Sequence, residues 1–197
     1  MYTKIYFIRH AHSSYINGFE KERGLSEEGK KAAACLVDVF KSIDIKAIYS
    51  SDYKRAIKTV EPIANEKTIE IGQYPQLRER LLKPEEVVLP YDDFIHAIKK
   101  SHEDHKFSLE GGESIEEVQK RTIPFIHQIM DKHKGKNIII ASHGNVMTMI
   151  MKYYDSNYGY EFWKETTMPD IYIMTFKDAS FVDIKKIAIG AYQIYEG

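Results

Sequence analysis

The 197-residue chain has a single cysteine, Cys35, so it cannot close a disulfide on itself, and a small scaffold stapled by disulfides is excluded. Its setting, Ala32-Ala33-Ala34-Cys35-Leu36, is that of a small residue packed in a helix. Six prolines and 11 glycines are scattered and never clustered, which argues against a linker or a low-complexity segment. No apolar stretch approaches the roughly 20 residues that a membrane helix requires. Charge of one sign is also missing: 28 Lys and Arg face 29 Asp and Glu, a net charge of -1. No global field draws in nucleic acid or an anionic membrane, so neither is an expected partner, and any anion site must come from local placement. Repeats of 20 to 50 residues are not visible. Met1-Tyr2-Thr3-Lys4 leads straight into an apolar run without the features of a signal peptide, which predicts a cytoplasmic protein.

What is present is an ordinary globular composition, 43% hydrophobic and 29% charged, at a length that suits one domain. Ile5-Tyr6-Phe7-Ile8 and Ile138-Ile139-Ile140-Ala141 are short apolar runs of the kind found in strands buried on both faces. Ser26, followed by Glu27 and Glu28, caps a helix carrying Ala32, Ala33, Leu36, Val39 and Phe40. Ala47 to Ser50 reads as a second strand, and Ser51-Asp52 as the cap of a helix with Ala56, Ile57, Val60, Ile63 and Ala64 on one face. Further helices are predicted over 91–102, 114–133 and 145–154, and a hairpin over 171–176 and 181–189. The alternation predicts a three-layer α/β/α sandwich with a mostly parallel sheet and an antiparallel edge. The segment 84–112 is less regular and reads as a small lid-like insertion in a single domain spanning 1–197.

In such sheets ligands bind beyond the carboxyl ends of the strands. Arg9 and His10 stand behind the first apolar run, and Ser142-His143-Gly144 behind the other. Arg55 lies about one turn into the helix after the second strand, where it can reach back over the same edge. Two guanidinium groups and two imidazoles suit a phosphate monoester, because guanidinium meets phosphate with paired hydrogen bonds. His10 would attack phosphorus as a neutral imidazole if an acceptor on its other nitrogen fixes the tautomer. Glu79 is the candidate for protonating the departing alkoxide and later for activating water.

Arg9-His10-Ala11-His12-Ser13, Leu25-Ser26-Glu27-Glu28-Gly29, Ser50 to Thr59, Leu77-Arg78-Glu79, Gly111-Gly112-Glu113-Ser114 and Ser142-His143-Gly144 together resemble the histidine phosphatase superfamily, in its phosphoglycerate-mutase-like branch. The resemblance implies His10 as the phosphorylated nucleophile, Arg9, Arg55 and His143 as phosphate ligands, Glu79 as proton donor, and catalysis with neither metal nor cofactor. The chain departs from the family pattern at Ala11 and His12, where glycine and often an acid are usual, and after Glu79, where Leu81-Leu82-Lys83-Pro84 lacks the usual glycine and acidic-glycine pair. Asn17 is matched to a loop asparagine of the branch, and His12 with Asn17 would line the substrate. The shortness of 84–112 and the missing acid at position 12 favour a phosphatase acting on a small phosphorylated substrate over a mutase.

Two other classes compete. His10 and His12 could chelate a transition metal if strand alternation placed both imidazoles on one side, giving a metal-dependent hydrolase. A non-catalytic module could hold phosphoryl ligands without turnover. The histidines at 96, 102, 105, 127 and 133 are expected to be solvated. The aromatics from Tyr153 to Trp163 either cover the site mouth or pack in the core. Neither the natural substrate nor the oligomeric state is legible.

Overall fold

In the computed structural model, residues 1–15, 19–84 and 87–189 are described, together with the backbone of 195–196. Asn17 therefore lies outside the described residues. Strand β1 (Tyr2–Arg9) is followed by α1 (Glu27–Phe40), β2 (Ile45–Ser50), α2 (Lys54–Lys67) and the short β3 (Ile71–Gln73). A 3-10 turn at Pro75–Leu77 leads to α3 (Tyr91–Glu103), α4 (Ile115–Lys132), β4 (Asn137–Ser142), α5 (Gly144–Tyr154) and α6 (Tyr160–Lys164). The chain closes with β5 (Thr167–Met168), β6 (Asp170–Lys177), β7 (Ser180–Ile187) and β8 (Tyr195–Glu196).

Six strands form one sheet in the order β3-β2-β4-β1-β6-β7. The first four of that order run parallel, while β6 is antiparallel to β1 and β7 to β6. The antiparallel edge is thus the expected hairpin, turned at Asp178 and Ala179 with φ of 48° and 70°. A separate pair joins β5 to β8.

The side-chain alternation of β1 builds two cores. Ile5 and Phe7 pack with Ile126, Ile138, Ile140, Val146 and Met149 under α4 and α5. Tyr6 and Ile8 pack with Leu36, Phe40, Val60 and Ile63 under α1 and α2. Every one of these side chains is buried, which is why the strands read as continuous apolar runs with no polar face. These two layers of helices around one sheet are the three-layer arrangement expected.

Chain direction at the middle of the sheet creates the site. From β1 the chain passes to α1 on one face, and from the neighbouring β4 it passes to α5 on the other. Adjacent strands that send their connections to opposite faces leave a crevice at their carboxyl ends, the preferred ligand position of open α/β sheets.

Side-chain caps start two of the helices, α1 and α4. Ser26 caps α1 by accepting from Gly29 N at 3.0 Å, and Ser114 caps α4 in a full capping box with Glu117. The predicted Ser51-Asp52 cap of α2 is not what forms: the helix begins after Tyr53, without a side-chain cap. Ser51 and Asp52 are instead drawn to His143 and Arg78. Segment 84–112 carries α3, which packs through Phe94, Ala97 and Ile98 on Leu82, Phe107, Leu109, Tyr160 and Trp163, a small core of its own. The predicted aromatic cluster is thereby divided: Tyr160 and Trp163 join this small core, and Tyr154, Tyr158 and Phe162 join the main one.

One expectation about surface histidines is corrected. His102 is 9% exposed, and neither ring nitrogen has a partner among the described residues. It sits on the inner face of α3, four residues after the buried Ile98, so the helical period carries it inward. His133 is also engaged, its Nε2 lying 2.9 Å from the Tyr49 hydroxyl.

Candidate active site

The carboxyl ends of β1, β2 and β4 lie side by side: Arg9 pairs with Ser142, and Ser50 with Ala141. The next residues of these strands, His10, Ser51 and His143, therefore emerge together. His10 and His143 meet edge to face with centroids 5.2 Å apart, and both are buried. Arg55, the second residue of α2, reaches the same place and is 1% exposed. The structure brings together four residues that the sequence singled out, Arg9, His10, Arg55 and His143, with Glu79 beside them.

Each side chain is fixed by a partner. His10 Nδ1 lies 2.8 Å from the carbonyl of Ala11, which places its proton on Nδ1 and leaves the lone pair on Nε2. Arg55 Nε donates to that Nε2 at 3.2 Å. His143 Nε2 lies 2.9 Å from Ser51 Oγ, while its Nδ1 is buried without a partner among the described residues. With the Ser51 hydroxyl donating, the remaining ring proton of His143 sits on Nδ1, free for a ligand. Arg9 Nη1 donates to the carbonyl and hydroxyl of Thr166 at 2.8 and 2.7 Å, and its Nε has no partner among the described residues. Gly144 permits this approach, since a Cβ there would stand 3.0 Å from Arg9 Nε.

The two imidazoles are cation-capable in isolation, but burial followed by the charge of Arg55 drives both well below the usual histidine range. Both are neutral near pH 7, and the positive charge of the pocket belongs to the guanidinium groups. Burial also lowers Arg55, to about 10, which leaves it charged.

The charged run Arg78-Glu79-Arg80 is divided among different partners. Arg78 pairs with Asp52, and Arg80 donates to the Glu113 carbonyl and Ser101 Oγ, each at 2.7 Å. The Glu79 carboxylate accepts from Arg80 N at 2.8 Å, Val146 N at 3.2 Å and Asn145 N at 3.3 Å. It thus lies at the amino end of α5, where unpaired N–H groups favour an anion. Its charge acts on both Arg9 and Arg55.

His12 is placed differently from His10. β1 ends at Arg9, so strand alternation no longer governs position 12, and His12 Nδ1 lies 2.8 Å from Ser26 Oγ at the start of α1. The two rings thus have separate Nδ1 partners, the Ala11 carbonyl and Ser26, and no group of three His, Cys, Asp or Glu side chains able to hold a metal occurs among the described residues. Gly29 allows α1 to lie against this loop, because a Cβ there would meet the His12 carbonyl oxygen at 2.1 Å.

Four site residues escaped sequence reasoning. The Tyr53 ring lies edge to face with His143 at 5.2 Å, with the Arg55 guanidinium carbon 4.9 Å from its centroid. Asn145 has a buried Oδ1 without a partner among the described residues, two positions after His143. Glu20 reaches Arg55 from the loop before α1, and Arg23 pairs with Glu20. Only Asn145 carried a usable signal, its place behind a strand-end histidine.

Comparison with known proteins agrees with this geometry. Residues 5–182 match the model of the histidine phosphatase superfamily (branch 1). The chain is 30% identical over 153 residues to phosphoserine phosphatase 1 of Hydrogenobacter thermophilus, covering 72% of this chain and 71% of that protein. It is 31% identical over 163 residues to a metal-independent phosphoserine phosphatase of Arabidopsis thaliana, covering 75% and 67%. Among solved structures, mycobacterial hydrolase 1 superposes with a TM-score of 0.77 at 17% identity, over 98% of this chain and 100% of that one, a likeness of fold. From the order of its motifs, the crevice they build and these relatives together, the chain belongs to branch 1 of the histidine phosphatase superfamily.

Proposed function

We propose that the protein hydrolyses small phosphomonoesters through a phosphohistidine at His10, with no metal and no cofactor. The observation that carries this is the state of the His10 ring. It is neutral, its Nδ1 proton is held by the Ala11 carbonyl, and the Nε2 lone pair faces a guanidinium that would draw the phosphoryl group to it.

In the first step Nε2 bonds to phosphorus and the ester P–O bond breaks. Arg9, Arg55 and the Nδ1–H of His143 hold the phosphoryl oxygens as charge shifts onto them. Glu79 gives a proton to the leaving alkoxide. In the second step water attacks phosphohistidine, Glu79 takes the water proton, and orthophosphate leaves with His10 restored.

Phosphoserine is the first ester to test, because relatives at 30% and 31% identity carry phosphoserine phosphatase names. The reading includes a single catalytic domain over 1–197 in which 84–112 acts as a small cover, and a cytoplasmic protein working on a soluble metabolite. Selectivity is assigned to His12, Asn17 and that cover. The test is release of orthophosphate from p-nitrophenyl phosphate and phosphoserine in EDTA. Activity resistant to chelator supports the reading, loss of activity points to a metal hydrolase, and binding without turnover points to a phospholigand module.

A further inference from the structure

The phosphate pocket already contains an anion, and it is the protein's own. The Glu20 carboxylate lies 3.2 Å from Arg55 Nη2 and takes two hydrogen bonds from Arg23, at 3.2 Å from Nε and 3.1 Å from Nη2. Arg55 Nη1 donates to the Glu20 carbonyl, and Arg55 Nε is occupied with His10. Each of the three nitrogens of Arg55 therefore has a partner, and the outer edge of its fork faces Glu20, not open space. The remaining nitrogen of Arg23 donates to the carbonyl and hydroxyl of Ser13 at 3.0 and 2.9 Å. Arg23 is close enough for its charge to depress both His10 and His143.

These partners differ in freedom. The Arg55 side chain is 2% exposed and locked in the core, whereas that of Glu20 is 23% exposed. The turn carrying Glu20 is fastened: Glu22 N and Arg23 N donate to the Phe19 carbonyl, and Lys54 N donates to the Lys21 carbonyl. Exchange of the carboxylate for another anion needs only rotation of one side chain towards solvent, with the backbone and both arginines staying in place.

We propose that Glu20 is a resident counter-anion of the phosphate subsite, exchanged for the phosphoryl group of the substrate, and that Arg23 then contacts that group alongside Arg55. The proposal rests on the reading of the pocket as a phosphate site. In the empty protein the carboxylate keeps two poorly solvated cations paired, which limits the cost of burying them. It also sets a threshold. A tethered carboxylate competes at high effective concentration, so a monoanion such as acetate is held off while a phosphate dianion, with more charge and more acceptor oxygens, displaces it.

Titration calorimetry of orthophosphate against the wild-type protein and the variants Glu20→Gln, Glu20→Ala and Arg23→Gln tests this without requiring turnover. Both Glu20 variants should bind orthophosphate on the order of tenfold more tightly and admit acetate as a competitor, and Arg23→Gln should bind orthophosphate about tenfold more weakly. Unchanged or weaker binding in the Glu20 variants would overturn the proposal, because Glu20 would then only organise the two arginines. Unchanged binding in Arg23→Gln would remove Arg23 from the phosphoryl contacts. Failure of the wild-type protein to hydrolyse phosphomonoesters would sink the catalytic reading alone, since the calorimetric result does not depend on it.

Discussion

The two walls of the pocket are built on different plans. The rear wall takes Arg9, His10 and His143 from strand ends and Glu79 from the loop after the 3-10 turn at Pro75–Leu77, and its side chains are held by groups that no ligand displaces: the Ala11 carbonyl, Ser51, Thr166 and the amides of α5. The front wall, Glu20 and Arg23, comes from another loop, and its side-chain contact to Arg55 of α2 is an ion pair that the substrate phosphoryl group is proposed to replace. The contrast separates two tasks. Groups that must hold a geometry as charge develops are fixed in advance, and groups that admit or refuse an anion keep one movable member.

Substitutions behind the rear wall should therefore act mainly on kcat. The largest effect is expected for His10→Ala, which removes the proposed nucleophile: turnover should fall on the order of 10⁴-fold or more while the thermal transition stays cooperative. Retained turnover would break the comparison at its base. Next is Glu79→Gln, for which departure of poor alkyl leaving groups should slow by roughly 10²-fold or more and that of activated aryl groups by much less. Equal losses for both ester types would remove Glu79 as the acid.

Thr166 sharpens the same point from behind. It is buried, its hydroxyl and carbonyl take both bonds from Arg9 Nη1, and the following turn is tied down by Asp170 Oδ2, which accepts from Thr167 N at 3.1 Å, Tyr172 at 2.7 Å and Lys186 at 3.0 Å. Losing the hydroxyl partner of a charged group should lower kcat/KM about tenfold in Thr166→Val. Thr166→Ser should restore it. If serine does no better than valine, packing and not the hydrogen bond positions Arg9.

Two further predictions lie outside both walls. His102 is held at about 4, first by burial and then by Lys152, Arg80 and His105, against an ordinary 6.5. The unfolded chain takes up that proton first as pH falls, so stability is lost between about 6.5 and 4, at up to about 1.4 kcal/mol per pH unit. Denaturant unfolding of His102→Gln should show a correspondingly shallower decline over that window, and an unchanged slope would place the titration elsewhere. The smallest effect is expected for Ser114→Ala, which removes the α4 capping box at a cost of about 1 kcal/mol and should leave kcat and KM alone.

The layers, the sheet and the strand-end residues of the rear wall were legible because each follows from a short-range rule. Ile5 to Ile8 and Ile138 to Ala141 mark strands buried on both faces, and the residues behind such strands lie in the crevice whatever the loops do. Other features depend on partners distant in sequence. Ser51 and Asp52 have the composition of a cap, but His143 and Arg78 claim them from 92 and 26 residues away. The Glu20–Arg23–Arg55 contact joins a loop to a helix across 35 residues with no motif to announce it. His102 was legible in principle, since it repeats the helical spacing of Phe94 and Ile98, and its polar neighbours His96, Lys99 and Lys100 concealed the stripe.

The central claim is a bond between His10 Nε2 and phosphorus in each cycle. Rapid quenching of the wild-type protein in alkali during hydrolysis of p-nitrophenyl phosphate, followed by peptide mass spectrometry, reads it directly. An acid-labile phosphoryl group on the peptide containing His10, appearing before the steady state and absent in His10→Ala, is the predicted result. Steady turnover by the wild-type protein with no phosphoryl group on His10 at any quench time would contradict the account.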